Sequence, residues 1–299
     1  MRVPVAGLAS LALTCVAAAA QPPAPSLITP AQLEPMLSDA ALVLLHVGPK
    51  ADYDLEHLPG AHHVELRAIA ADPQDGGLSL QLPAPAALET KLEALGISDA
   101  SRVVVYTGKD VIQSVTRIVF TLDYAGLGGQ TMVLDGGMPA WKAAGKAVTK
   151  DAPVARPAGT LTVKTRPEIV ADLAWVQAHV GTPGHVVIDA RTPQFYTGES
   201  NNNGRIPRPG HIAGAVSAPY DTWVQPDGTF KPKVALDAML KTAGAAPGST
   251  IATYCHIGQQ ATVPWLVARM LGYDVKLFDG SFEEWARTTS APVKTGTQP

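Results

Sequence analysis

The chain is poor in cysteine, in charge and in aromatic rings, and each shortage narrows what it can be. Two of its 299 residues are cysteine, Cys15 and Cys255, and Cys15 lies in an apolar N-terminal stretch. Once that stretch is removed a single thiol remains, so no internal disulfide can form and stability must come from a packed core. Charged residues make up 16% of the chain and the formal net charge is −3. With no polybasic run, nothing indicates a nucleic-acid partner or a membrane surface. Beyond the N-terminal stretch there is no second apolar run long enough to span a bilayer.

That stretch opens Met1-Arg2, runs apolar from Val3 to Ala20 and ends at Gln21-Pro22-Pro23. One positive charge, a short apolar core and small residues before a polar, Pro-rich segment predict a secretory signal peptide over 1–20; the alternative is a membrane anchor. Cleavage after Ala20 leaves 299 − 20 = 279 residues, enough for two domains. The mature protein is expected to be exported to the periplasm, with no membrane attachment after cleavage. A lone thiol there is a liability unless it is buried or used.

Cys255 has a telling position. Thr250 to Tyr254 is rich in β-branched and aromatic residues and predicts a buried strand. Ala261 to Leu271 has apolar residues at helical spacing and stops at Gly272. A cysteine between a strand end and a helix start meets backbone N–H groups and a helix dipole, which favour thiolate near neutral pH. The expected setting is the exposed crevice at the carboxyl ends of parallel strands.

The chain also repeats itself. Asp135-Gly136-Gly137-Met138-Pro139-Ala140-Trp141 and Asp279-Gly280-Ser281-Phe282-Glu283-Glu284-Trp285 both read D-G-x-x-x-x-W. His57-Leu58-Pro59-Gly60-Ala61 matches His211-Ile212-Ala213-Gly214-Ala215, and Val103 to Thr107 matches Ile251 to Cys255. Each unit alternates short apolar strands with helical segments, among them Leu173 to Val180 and Val234 to Ala243. That alternation predicts an α/β fold, each domain a mostly parallel central sheet with helices on both faces. The expected organisation is a first domain over 27–147, a Pro-containing linker over 148–166 and a second domain over 167–292. Trp141 and Trp285 recur at matching places and are expected in the cores.

Asp189-Ala190-Arg191 after a strand, Gly210 to Ala215, the Cys255 loop and the Asp279 to Trp285 motif together resemble the tandem-domain rhodanese sulfurtransferases. The resemblance covers nearly all of the mature chain. It implies two rhodanese-like domains, the second catalytic and the first silent, since Thr107 stands where the first domain would carry its cysteine. It implies that Cys255 accepts a sulfane sulfur as a persulfide and passes it to a thiol, to cyanide or to a protein acceptor. No cofactor or metal is expected. The loop departs from the basic loop of thiosulfate-using members and from the small, Gly-rich loop of 3-mercaptopyruvate-using ones, so the donor stays open between the two.

The candidate site follows from these positions. Cys255 is the nucleophile. Amides from His256 to Ala261 can hold the charge of a persulfide if Gly258 lets the loop curl. Arg191, just past a strand end, is expected to bind the anionic part of a donor. Arg205 and Arg208, in a segment the first unit lacks, are further candidates for that anion. His256, Ile257, Gly258, Gln259 and Gln260 complete the substrate-binding set, while Asp189 and His211 are expected to be structural.

Three other readings compete. A cysteine phosphatase or arsenate reductase shares the strand–loop–helix arrangement but needs an arginine closing the loop, where this chain has Ala261. A persulfide carrier or redox-sensing domain would use the same cysteine without rapid turnover. A structural module would bury the thiol under the helix.

Overall fold

A computed structural model describes residues 22–72, 77–108 and 112–299. The leader expected over 1–20 lies outside the described residues. The first domain carries β1 (Ser26–Ile28), β2 (Leu42–Val47), β3 (His62–Val64), β4 (Arg102–Thr107) and β5 (Thr131–Leu134). Its helices are α1 (Pro30–Leu33), α2 (Lys50–Leu55), α3 (Pro85–Glu93), α4 (Ile112–Tyr124) and α5 (Gly137–Ala143). The second domain carries β6 (Val170–Ala171), β7 (His185–Asp189), β8 (His211–Ile212), β9 (Val216–Ser217), β10 (Thr250–Tyr254), β11 (Asp274–Phe278) and β12 (Val293–Lys294). Its helices are α6 (Leu173–His179), α7 (Pro193–Tyr196), α8 (Lys233–Thr242), α9 (Thr262–Met270) and α10 (Ser281–Arg287).

Each domain has one all-parallel sheet, ordered β1-β5-β4-β2-β3 in the first and β6-β11-β10-β7-β9 in the second. The central strands are apolar on both faces because helices cover both. In β2, Val43, Leu45 and Val47 point into one core while Leu42 and Leu44 join the other. In β10, Ile251 and Ala252 divide in the same way. Trp141 and Trp285 are buried in the two outer cores.

The inner core is continuous across both domains and is built around α4 and α9. Phe120 and Trp265 meet there edge to face, with ring centroids 4.9 Å apart, a geometry worth about 0.5–1.5 kcal/mol beyond burial. The Thr116 and Thr262 hydroxyls are 2.7 Å apart, and Arg269 Nε donates to Asp123 at 3.0 Å. Aligned on Gly126 and Gly272, Thr116 matches Thr262 and Asp123 matches Arg269, so the repeats meet face to face about a pseudo-twofold axis. The exchange is reciprocal at the two Asp-Gly motifs. Asp279 accepts the Leu82 N–H of the first domain at 2.9 Å, and Asp135 accepts the Phe230 N–H of the second at 2.8 Å.

The segment 148–166 contains no helix or strand; Thr149 forms an isolated bridge to His57. It runs along the first domain, where Arg156 donates to the carbonyls of Ala40 and Leu42 and Leu161 is buried.

Candidate active site

Cys255 follows β10 directly, and the chain needs six residues, His256 to Ala261, to enter α9. Gly258 turns that loop. Its φ is +76°, and a Cβ there would lie 2.8 Å from Arg117 Nη1 and 2.9 Å from the Asp279 carbonyl. Only glycine meets both demands. Among the described residues, none of the amide N–H groups from His256 to Ala261 donates to a protein acceptor. The loop carbonyls of Gln259 and Gln260 are engaged, receiving the N–H groups of Thr262 and Val263 at 3.1 Å each.

The thiol is deeper than the sequence suggests. Cys255 is 1% exposed and belongs to the inner core, where an exposed crevice residue was expected. Its side chain packs into the inner core, while the second Asp-Gly motif closes on its backbone. The Cys255 N–H donates to Ser281 Oγ at 3.3 Å, and its carbonyl receives the Phe282 N–H at 3.0 Å.

Arg191 is likewise buried instead of standing free at the crevice edge. Its Nε lies 3.0 and 3.1 Å from the two Asp189 oxygens, and its Nη2 donates to Asp189 at 2.6 Å and to the Gly210 carbonyl at 2.7 Å. Phe282 stacks beneath the guanidinium, 4.0 Å from ring centroid to Cζ. Burial is the largest effect and works against its charge, but the charge and hydrogen bonds of Asp189 together with Tyr254 and Cys255 outweigh it, leaving it above the ordinary arginine range. Nη1 is buried and has no partner among the described residues. Asp189 is held in turn by Tyr254, whose hydroxyl donates to it at 2.6 Å. In the first domain the matching tyrosine, Tyr106, faces His46 Nδ1 at 3.0 Å instead.

The remaining candidates separate. Arg208 donates to the carbonyls of Trp285, Ala286, Thr288, Thr289 and Ala291, at 2.9 to 3.3 Å. It therefore caps the end of α10, where a cation satisfies orphan carbonyls, and is not available to a donor anion. Arg205 is exposed and lines a cleft of ≈ 570 Å³ together with Ile206, His256, Ile257 and Phe282. His256 packs edge-on against Phe195 at 4.5 Å. Burial, then Arg191, lowers its pKa to about 4 against an opposing effect of Asp189, so it is neutral at pH 7. Gln259 Nε2 donates to Ser114 of the first domain at 3.0 Å. Gln260 lies beside the Tyr220 hydroxyl, and its Oε1 is buried without a partner among the described residues. His211 is structural, sharing its ring nitrogens with the carbonyls of Tyr196 and Gln298 at 2.8 and 3.0 Å.

Two contributors escaped the sequence reading. Ser281 hides behind a motif whose first copy has glycine at that place. Arg117 sits in α4, 141 residues from its Gly258 partner. Its one signal is a charge inside the apolar run Val115 to Phe120.

The rhodanese-like domain family matches residues 29–144 and 172–288, one match per repeat. A probable 3-mercaptopyruvate sulfurtransferase of Pseudomonas aeruginosa is 32% identical over 287 residues, 90% of this chain and 98% of that protein. A putative thiosulfate sulfurtransferase, SseB, of Mycobacterium tuberculosis is 32% identical over 250 residues, 83% of this chain and 86% of that protein. Among solved structures, YnjE superposes with a TM-score of 0.80 at 23% identity, over 90% of this chain and 68% of that one, a likeness of fold. The chain belongs to the rhodanese-like family, in the two-domain form of the sulfurtransferases.

Proposed function

We propose that this sulfurtransferase works through a persulfide on Cys255. The observation that carries the reading is the run of amides from His256 to Ala261 around a cysteine, none of which meets a protein acceptor among the described residues. Burial of Cys255 alone would suit an incidental thiol. A packing thiol, however, has no use for a loop of free donors at a helix start, where an anion is favoured.

In the first step the Cys255 thiolate attacks the outer sulfur of the donor. With thiosulfate the S–S bond breaks and sulfite leaves with the electron pair. With 3-mercaptopyruvate the C–S bond breaks, and the carbon fragment takes the pair and a proton to become pyruvate. The negative terminal sulfur then rests among the loop amides, with Arg191 Nη1 as a nearby buried cation. A thiol or cyanide attacks that sulfur and returns Cys255 as thiolate. The ≈ 570 Å³ cleft bordered by Arg205 and Ile257 is the proposed entrance. Arg205 supplies its anion-binding charge, and a protein acceptor is also compatible with an opening of that size.

We assign the donor to the same two candidates. His256 is neutral and the loop itself lacks Lys and Arg, so Arg191 and Arg205 offset only part of the repulsion that a dianion meets, and thiosulfate is used less efficiently than by relatives with basic loops. Residues 1–20 are proposed as a leader that directs export to the periplasm, which N-terminal sequencing of the mature protein checks. The functional test is intact mass after incubation with each donor and no acceptor. A gain of one sulfur, lost on adding cyanide, supports the reading; an unchanged mass with every donor and a still-titratable thiol refutes it.

A further inference from the structure

The silent first domain reaches into the site of the second through one side chain. Arg117, on α4, is 3% exposed. Its Nη1 donates to the Gly258 carbonyl at 3.0 Å and to Asp279 Oδ1 at 2.7 Å, and its Nη2 donates to the Leu80 carbonyl. It thereby joins three separate pieces of chain: the Cys255 loop, the second Asp-Gly motif and the first-domain strap Ser79 to Leu82. The strap is itself docked on the second domain, with Ser79 N–H on Glu283 at 2.8 Å and Gln81 Nε2 on the Asp279 carbonyl at 3.1 Å.

We propose that Arg117 is a positioning residue for sulfur transfer, setting the orientation of the Gly258–Gln259 peptide. This rests on the persulfide reading above. The peptide is trans, so its C=O and N–H point in opposite directions. Fixing the Gly258 carbonyl on Arg117 turns the Gln259 N–H to the opposite side, where it meets no protein acceptor among the described residues. A freely turning peptide would present its carbonyl to the bound sulfur in some fraction of molecules, replacing a donor with a repelling dipole. The left-handed backbone of Gly258 and the close approach of Arg117 belong to the same device, because any Cβ on residue 258 would strike Nη1.

The test uses the full chain with Arg117→Met, which removes every donor, and Arg117→Lys, which keeps one charged donor. Gln81→Ala is the comparison, since it loosens the strap without touching Gly258. Two readouts are taken: kcat/KM for sulfur transfer to cyanide, and the pH profile of Cys255 alkylation, which needs no sulfur donor. Arg117→Met should lower kcat/KM by about tenfold or more, the usual scale for losing a charge-assisted hydrogen bond. It should also move the alkylation profile to higher pH, Arg117→Lys should recover part of both, and Gln81→Ala should leave the profile in place. If Arg117→Met does not fold, Arg117→Lys carries the comparison alone. Wild-type alkylation in a folded Arg117 variant, or an equal shift in Gln81→Ala, would overturn the proposal. A wild-type protein with a reactive thiol that never gains sulfur would instead overturn the persulfide reading on which it rests.

Discussion

Ser281 holds the amide of Cys255 from a backbone conformation that serine resists. Its φ is +51°, its Oγ accepts the Cys255 N–H at 3.3 Å, and the same hydroxyl donates to the Phe278 carbonyl at 2.9 Å. A side chain in the left-handed region costs on the order of 1 kcal/mol or more and persists only where its surroundings hold it. The first domain places Gly137 at the matching position, at φ +56°, beside Thr107. The domain with the thiol carries the strained hydroxyl, and the domain without it carries the relaxed glycine.

Ser281→Gly should therefore separate stability from activity. Relief of the backbone offsets the lost hydrogen bonds, each worth about 0.5–1.5 kcal/mol. Urea unfolding should stay within about 1 kcal/mol of wild type, while kcat for sulfur transfer falls several-fold. A wild-type kcat would reduce Ser281 to a packing residue.

Arg191→Ala should fail first as a fold. It leaves Asp189 buried with its cation gone, a change that costs about 3–5 kcal/mol. Denaturant unfolding would register that loss, whereas a loosely bound surface arginine would change the midpoint hardly at all. Arg208→Ala should also lower the midpoint, through the end of α10, and in the folded fraction leave the Michaelis constant for the donor unchanged.

Replacing Ile257 by lysine adds a charge at the cleft beside the loop. Such a charge contributes up to a few kcal/mol at an effective dielectric of about 20, and less as salt screens it. The Michaelis constant for thiosulfate should fall, most at low ionic strength. A constant that does not move across salt concentrations would mean that charge in this loop does not govern donor choice.

His256 sets a pH window for stability. Its folded pKa is about 4, below the ordinary value of 6.5, so between these values the unfolded chain binds the proton that the folded one refuses. Stability from this group is complete above 6.5 and is lost as pH falls toward 4, by up to about 3 kcal/mol. His46, also lowered to about 4, acts in the same window. His256→Gln should flatten the acid side of the stability curve by its own share and leave His46's. An unchanged curve would show that His256 titrates in the native protein near its ordinary value.

The sequence disclosed what short-range pattern controls. The strand Thr250–Tyr254 appears with the bounds expected of it, and the expected helix from Ala261 to Leu271 differs from Thr262–Met270 by its end residues. Gly258 was legible because a turn between a strand and a helix needs one. The arginines were not legible, because a guanidinium's role depends on distant carbonyls and carboxylates. Arg208 reads as a free cation until α10 is folded 77 residues away, and its carbonyls claim it. Arg191 reads as an anion binder until Phe282 and Gly210 close around it. Arg205, whose side chain meets no partner among the described residues, is the candidate left exposed at the cleft.

The two-fold exchange between the Asp-Gly motifs has a consequence for how such a molecule arises. Each half lends the other the backbone N–H that its aspartate needs, Leu82 for Asp279 and Phe230 for Asp135. Equivalent threonines touch across the axis as they would in a symmetric dimer. The arrangement is that of two identical subunits joined into one polypeptide. The second half carries the thiol, and the first contributes Arg117 to its loop. Arg117 has no counterpart doing this duty in return, since its match by the same alignment is Val263. The pseudo-symmetry holds at the threonine pair and at the Asp-Gly exchange, and it gives way at Arg117 and at Cys255, whose match is Thr107.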